Sequence, residues 1–461
     1  YRRIKTFFYK GLVALLAIIL FFIANRLNSL ELSENMDKEI SVKRETRESF
    51  AAPIPALSLS KMRLFTGGRH LFRRSWTPAP SSVKSLDGLG PVFNRVSCSG
   101  CHVKDGRGRP PKEDGKFRSM VIKLAMIDNN NIYPDPNYGH QLNDKSILGV
   151  PYEGKAKIDY SIIDIELNDG TIKKISNPHY TFNSMSFGAF NENTKHSGRV
   201  APAVFGLGLI EAITEKDLLK NADPEDLNND GISGRAHKLV DKPSKKIMIG
   251  KFGWKATRAT LLHHITGAAS QDMGLTSNVF PNENCMKIQK ACLGQINGGK
   301  PEVSDAQIER LLVYMQSLAP PRQRKIKNKS VLAGKNLFKE IGCESCHTPA
   351  YKTGEHPNHP ELSNRIIRPY SDFLLHDMGK GLDDGVAEGE AKSYEWKTPP
   401  LWGIGLVKIV NKHTRFLHDG RARSIEEAIL WHGGEALKAK NNYISLTKEE
   451  RKNLLFFLNS L

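Results

Sequence analysis

The sequence predicts a mainly α fold made of two lobes, with the first lobe enlarged by β hairpins and loops. Three observations predict it. A five-residue cysteine frame occurs once in each half of the chain. An amphipathic helix closes each half, and a short glycine-rich string recurs between frame and helix. The 461 residues, 39% apolar and 25% charged, are an ordinary globular composition with room for two or three domains.

The frames are Cys98-Ser99-Gly100-Cys101-His102 and Cys343-Glu344-Ser345-Cys346-His347. C-x-x-C-H is the haem c attachment spacing: two thiols add to the porphyrin vinyl groups and the adjacent imidazole turns under the ring to the iron. With 6 Cys and 15 His in the chain, chance gives roughly 0.003 such frames. The reading is therefore two haem c, one per cytochrome c-like lobe, with Cys98, Cys101, Cys343 and Cys346 as attachment points. His102 and His347 are then the proximal ligands. Zinc held by two C-x-x-C knuckles is the alternative, disfavoured by the long separation and the adjacent histidines.

The compartment follows from the N-terminus. Basic residues up to Lys10 precede the uncharged run Gly11–Ala24, GLVALLAIILFFIA, which suits a signal-peptide core or a short anchor. Residues 1–30 are read as signal peptide or membrane anchor, residues 31–60 as a polar linker, and the rest as exported, hence periplasmic. Export removes nucleic acid from the partners of a chain with formal charge +18. That charge suits acidic proteins or anionic lipid instead. Outside the cytoplasm the remaining cysteines, Cys285 and Cys292, are expected to form a local disulfide.

The first haem domain is assigned to residues 61–320. Within it KAKIDYSIIDIELNDGTIKKIS, from Lys155, reads as two strands around Asn168-Asp169-Gly170. Residues Glu302–Leu318 carry a helical apolar period with Ser304 as N-cap. Pro320-Pro321 and a basic run break the pattern, and residues 321–461 are the second haem domain. A fresh helix, SVLAGKNLFKEIG, leads into the second frame. LTKEERKNLLFFLNSL closes the chain with Thr447 as N-cap and Glu450 at the third position.

The recurring string is APAVFGLGL, Ala201–Leu209, and TPPLWGIGL, Thr398–Leu406. It suggests duplication, each copy packing near its own haem. Asp226, Asn228 and Asp230 fit the start of a calcium loop, but position twelve is His237, so the loop is not an EF-hand. Calcium there competes with a plain Asx-rich turn.

Longer strings carry a resemblance. HDMGKGLDDG (His376–Gly385), EWKTPPLWGIGL (Glu395–Leu406) and LHDGRARSIEEAILWHGGEA (Leu417–Ala436) resemble the di-haem oxidoreductases, a family labelled peroxidase or thiol oxidoreductase. GLGLIEAI, ADPEDLNNDGISGR and KFGWKA resemble it in the first half, so the match spans about residues 60–461. That family is distantly similar to bacterial di-haem cytochrome c peroxidases. There, a segment like the one beginning at His418 ends on an axial methionine. Here the equivalent position is His432, which implies two imidazoles at the second iron, with Met378 and His418 as competing ligands.

The first haem has no equally clear sixth ligand among His140, Met185, His196 and His237. Peroxide chemistry needs an acid–base group and a positive charge near the iron, for which Glu211 and Arg199 beside the GLGL string are the candidates. The implied activity is a peroxidase-like oxidoreductase with one substrate-facing haem and one electron-transfer haem. Its partners would be an electron-donor protein or small cytochrome and a small oxidant such as hydrogen peroxide. The competing reading is a pure electron-transfer cytochrome.

Overall fold

A computed structural model of the chain describes residues 38–112, 115–129 and 131–461. The N-terminal apolar run lies outside the described residues. Among the described residues no helix is long and apolar enough to cross a membrane. In chain order the elements that place the sites are helix α1 (Leu59–Arg73), strands β1 (Met120–Asp128), β2 (Lys155–Glu166), β3 (Ile172–Asn183) and β4 (Thr194–Val200). They are followed by helices α2 (Leu261–Met273), α3 (Asp305–Ser317), α4 (Lys329–Glu340), α5 (Ile425–Leu430) and α6 (Lys448–Ser460).

Two helix crossings carry the architecture, α1 on α3 and α4 on α6. Helix α1 starts where Ser58 accepts from Lys61 N–H, and it buries Phe65, Gly68 and Phe72. Helix α4 starts where Asn328 accepts from Ser330 and Val331 N–H, and it buries Val331, Gly334 and Phe338. The spacing is the same, three and then four residues along one helix face. The central glycine lets the partner backbone approach. A Cβ on Gly68 would stand 2.0 Å from Arg310 O, and a Cβ on Gly334 would stand 2.0 Å from Asn453 O. Helices α3 and α6 both open with a complete capping box, Ser304 with Gln307 and Thr447 with Glu450. Fully burying one aromatic ring at such a crossing stabilises by about 2 kcal/mol.

The recurring strings pack on each other across the chain. A Cβ on Gly206 would meet the Trp402 ring at 2.4 Å, and one on Gly403 would meet the Phe205 ring at 2.7 Å. Both glycines have positive φ, 72° and 74°, so each is needed for its turn as well as for the approach. The core that results runs through both halves and holds Phe65, Phe205, Leu209, Tyr314, Trp402 and Leu406. Of the stretch read as a linker, residues 40–54 join this core. Phe50 and Ile54 are buried, Ile54 N–H donates to Ser317 O at 2.8 Å, and Val42 N–H donates to Pro320 O at 3.1 Å.

The expectation of a mainly α fold is corrected. The structure is 30% helix and 19% strand. Strand β1 pairs antiparallel with β4 from Met120↔Val200 to Met126↔Thr194, and β2 pairs with β3 from Lys155↔Asn183 to Glu166↔Ile172. The hairpin turns at Gly170, φ 77°, where Asp169 Oδ1 accepts from Thr171 N–H at 3.1 Å. Strand β3 runs on through Pro178 to Asn183, further than its sequence pattern indicated. Most of β2 is exposed, so no clean apolar alternation marks its length. A two-stranded ribbon has free edges, where proline is tolerated. The ribbon tip reaches residues of the second half: Asn168 N–H donates to Ile444 O at 3.3 Å, and Lys173 pairs with Glu426 at 2.8 Å.

Candidate functional site

The second cysteine frame follows α4 directly. Gly342, φ 93°, turns the chain, and Cys343–Ser345 forms a single tight helical turn. His347 then lies under the wall of a largely apolar cavity of about 460 Å³, within the size range of cofactor pockets. Cys343, Cys346, His347 and His432 all border it. His347 donates Nδ1–H to Tyr370 O at 2.9 Å, and His432 donates Nδ1–H to Ala428 O at 2.8 Å. A carbonyl can only accept, so each ring is fixed as the tautomer whose Nε2 lone pair is free for a metal. Burial pushes the His347 pKa down to about 4 and lowers that of His432. Both rings are therefore neutral near pH 7, as ligands must be.

Met378 and His418 border the same cavity. His418 is buried and stacks on Trp396, with ring centres 3.7 Å apart and planes 10° apart. Burial, with Arg199 and Arg421 nearby, holds its imidazole far below its ordinary pKa. Sequence reasoning had no role for His376 beyond its place in HDMG. Its Nε2 lies 2.8 Å from Asp372 Oδ2 and its Nδ1 lies 2.6 Å from Glu435 Oε2, with Cys346 Sγ 3.6 Å away. Burial opposes a charge there, but the two carboxylates overcome it and raise the His376 pKa well above its ordinary value. The pair of partners lies 4 and 59 residues away in sequence, so only the fold reveals the second.

The first frame occupies a short helix, Cys98–Cys101. His102 donates Nδ1–H to Pro202 O at 2.7 Å, so the first recurring string does touch its own histidine. Cys98, Cys101 and His102 border a narrower cavity of about 70 Å³, together with Phe72, His264, Met273 and Met315. Burial pushes the Cys98, Cys101 and Cys343 thiols up to about 12. Burial thus disfavours the thiolate form of these three cysteines. Haem suits both sites by donor chemistry: two thiols and a neutral imidazole border one apolar void. At the second site the void is also of cofactor size. At the first, the walls must part to admit a porphyrin.

Glu211 and Arg199 border neither cavity. Glu211 accepts from Leu261 N–H at 2.7 Å, at the start of α2, and from Gln316 Nε2–H at 2.6 Å, with His356 Nε2 3.3 Å away. Burial favours its neutral form, but His356 and these donors hold the carboxyl below its usual value. Arg199 is 4% exposed and paired with Asp384 and Glu388, and its guanidinium lies 4.6 Å from the Trp396 ring centre. His140, Met185, His196 and His237 do not border the first cavity either.

The candidate calcium loop is a set of Asx turns. Asp226 Oδ1 and Asn228 Oδ1 accept from Asp230 N–H at 3.0 and 2.9 Å, and Asp230 Oδ1 accepts from Ile232 N–H at 2.8 Å. Among the described residues, the His, Cys, Asp and Glu side chains that gather at metal-binding distance are Cys346, Asp372 and His376. The Cys285 and Cys292 sulfurs lie at bonding distance, 1.97 Å.

A family model described as di-haem oxidoreductase, putative peroxidase, matches residues 37–128 and 171–461. The unmatched interval contains β2, the exposed strand of the ribbon. No curated protein matches the chain. Among solved structures, hydrazine synthase of Kuenenia stuttgartiensis aligns with 89% of this chain and 94% of that chain, at 14% identity and a TM-score of 0.30.

Proposed function

The chain belongs to the di-haem oxidoreductase family, and from that premise we propose that it is an exported, peroxidase-like oxidoreductase carrying two haem c. The second haem, on Cys343, Cys346 and His347, is the electron-transfer centre. The first, on Cys98, Cys101 and His102, faces the substrate. The observation that carries the reading is the pair His347 and His432. Both border one apolar cavity, and both have Nδ1 bonded to a backbone carbonyl. Two fixed imidazoles favour a low-spin iron that changes oxidation state with little rearrangement.

The reduction of hydrogen peroxide takes two electrons and two protons and yields two waters. The haems supply one-electron storage and the iron at which the O–O bond is broken. The chain supplies the rest. Tyr370 O and Ala428 O fix the orientation of the two rings at the second site. Leu382, Trp396 and Ile429 on the cavity wall exclude water from it. Electrons come one at a time from a donor protein or small cytochrome outside the cytoplasmic membrane, and the basic chain favours a donor with an acidic face. The N-terminal segment exports the protein or anchors it.

Two measurements test this. Intact mass after denaturation should exceed the polypeptide mass by two haems, and one or none would refute the attachment. The fully reduced protein mixed with hydrogen peroxide should lose two electrons per chain. Oxidation no faster than that of a simple bis-imidazole cytochrome would leave only electron transfer.

A further inference from the structure

The sequence left the far side of the first iron without a ligand, and the fold removes the histidines and methionine that were considered. His237 is committed at both nitrogens, to Lys255 O at 2.7 Å and to Glu390 N–H at 3.2 Å. His196 packs its ring against Phe182 at 4.6 Å. Met185 packs in the core around β1. None of these, nor His140, borders the pocket of Cys98, Cys101 and His102.

His264 does border it. It lies in the first turn of α2, whose start is fixed by Thr260 accepting from His263 N–H at 3.2 Å. His264 and Val204 border both cavities. His264 is not placed in the chain as His432 is: it lies in the first turn of α2, whereas His432 follows the C-terminal end of α5. Met315 also borders the pocket, but it follows Tyr314 on α3 as Leu458 follows Phe457 on α6, a packing position. Met273 packs with Trp76 and Phe93.

We propose that His264 is the second axial ligand of the first haem, opposite His102, so that both irons rest between two imidazoles. This rests on the reading above that Cys98, Cys101 and His102 hold a haem. One difference separates it from the other three rings. His102, His347 and His432 each donate Nδ1–H to a backbone carbonyl, while among the described residues no hydrogen bond holds the His264 ring. The His264 bond is therefore the most readily displaced of the four axial bonds, and the first iron is the one an added small anion reaches.

The test uses the full-length holoprotein as isolated, with haem content checked by intact mass. The ferric wild type should be low-spin at both haems by EPR and visible absorption. His264→Ala should convert one of the two haems to high-spin and speed cyanide binding at that haem at least tenfold, with two haems still attached. His264→Met should return that haem to low-spin with a raised midpoint, which shows that the variant site still folds. Two low-spin haems in His264→Ala would overturn the assignment, as would a high-spin haem already present in wild type and unchanged by the substitution. A mass lacking the haem at Cys98 and Cys101 would instead overturn the underlying haem reading. The two failures are therefore told apart.

Discussion

The ring of Phe338 stands 6.1 Å from the ring of His347, and Phe72 keeps the same 6.1 Å from His102. Each phenylalanine follows a glycine by four residues on its helix, Gly334 and Gly68, and each packs 5.3 Å from an aromatic ring of the crossing helix, Phe457 and Tyr314. The crossing therefore sets the position of each frame histidine. Disturbing the glycine disturbs the histidine through one intervening ring.

Gly334→Ala tests this coupling. Alanine is worth about 1 kcal/mol over glycine in a helix, so propensity alone predicts a gain. The added Cβ would stand 2.0 Å from Asn453 O, a backbone atom that cannot rotate away. Overpacking of this kind costs about 1–3 kcal/mol or more, so the clash wins and the variant should be less stable by denaturant titration. Gly342→Ala is the contrasting case: it strains a positive φ, 93°, but nothing lies within 4 Å of its Cβ. A stabilised Gly334→Ala would mean the helices can move apart without cost.

Glu211→Ala separates a structural carboxylate from a catalytic one. The substitution leaves Leu261 N–H and Gln316 Nε2–H without their acceptor. Each buried orphan costs about 1–3 kcal/mol, so melting should fall clearly. Peroxide turnover per folded, fully haem-loaded molecule should stay within about threefold of wild type, whereas loss of a general acid–base would cost about 100-fold or more.

The cysteine frames, the capping boxes at Ser304 and Thr447 and the recurring string were legible because each is local: a spacing, or a side chain three residues from its partner. Ser304 and Thr447 cap in the structure as their sequences indicate. The ribbon strand β2 was read from its sequence, whereas β4 was not: its pairing, Met120↔Val200 to Met126↔Thr194, is made with a strand far along the chain. His264 and His376 were missed for the same reason. Their significance is made by residues far along the chain, His102 for one and Glu435 for the other, and no spacing rule brings such pairs together. His432 was singled out only because a resemblance supplied its position.

His376 gives a pH prediction with a definite sign. Its pKa in the folded protein is raised well above the ordinary imidazole value by Asp372 and Glu435, against burial. A raised folded pKa contributes stability that is fully present below the unfolded value of about 6.5 and is lost as pH rises through the folded value. The stability difference between wild type and His376→Gln should therefore be largest in mild acid and shrink in alkali. Breaking a buried pair typically costs about 3–5 kcal/mol. Urea titrations from pH 5.5 to pH 10 measure the difference, and a gap that widens with pH would contradict a charged imidazole between these carboxylates.

Under the proposed reading, His432 decides the character of the second haem. It borders the same cavity as the second frame, and Ala428 O fixes its tautomer at 2.8 Å. Met378 and His418 border the same void, so the three must be separated by experiment. His418 is stacked on Trp396 and Met378 sits in a loop, while His432 alone has its Nδ1 bonded to a helix carbonyl. His432→Ala should turn the second haem high-spin and leave the signal of the first unchanged. His432→Met should keep it low-spin and raise its midpoint, because thioether sulfur favours the ferrous state over imidazole. His418→Ala should leave the spin state unaltered and act on stability through the lost Trp396 stack, by about 1 kcal/mol beyond the buried area. If His432→Ala leaves the spectrum and both midpoints unchanged while Met378→Ala produces the high-spin signal, the second iron is held by sulfur, and the electron-transfer haem is the more oxidising centre of the protein.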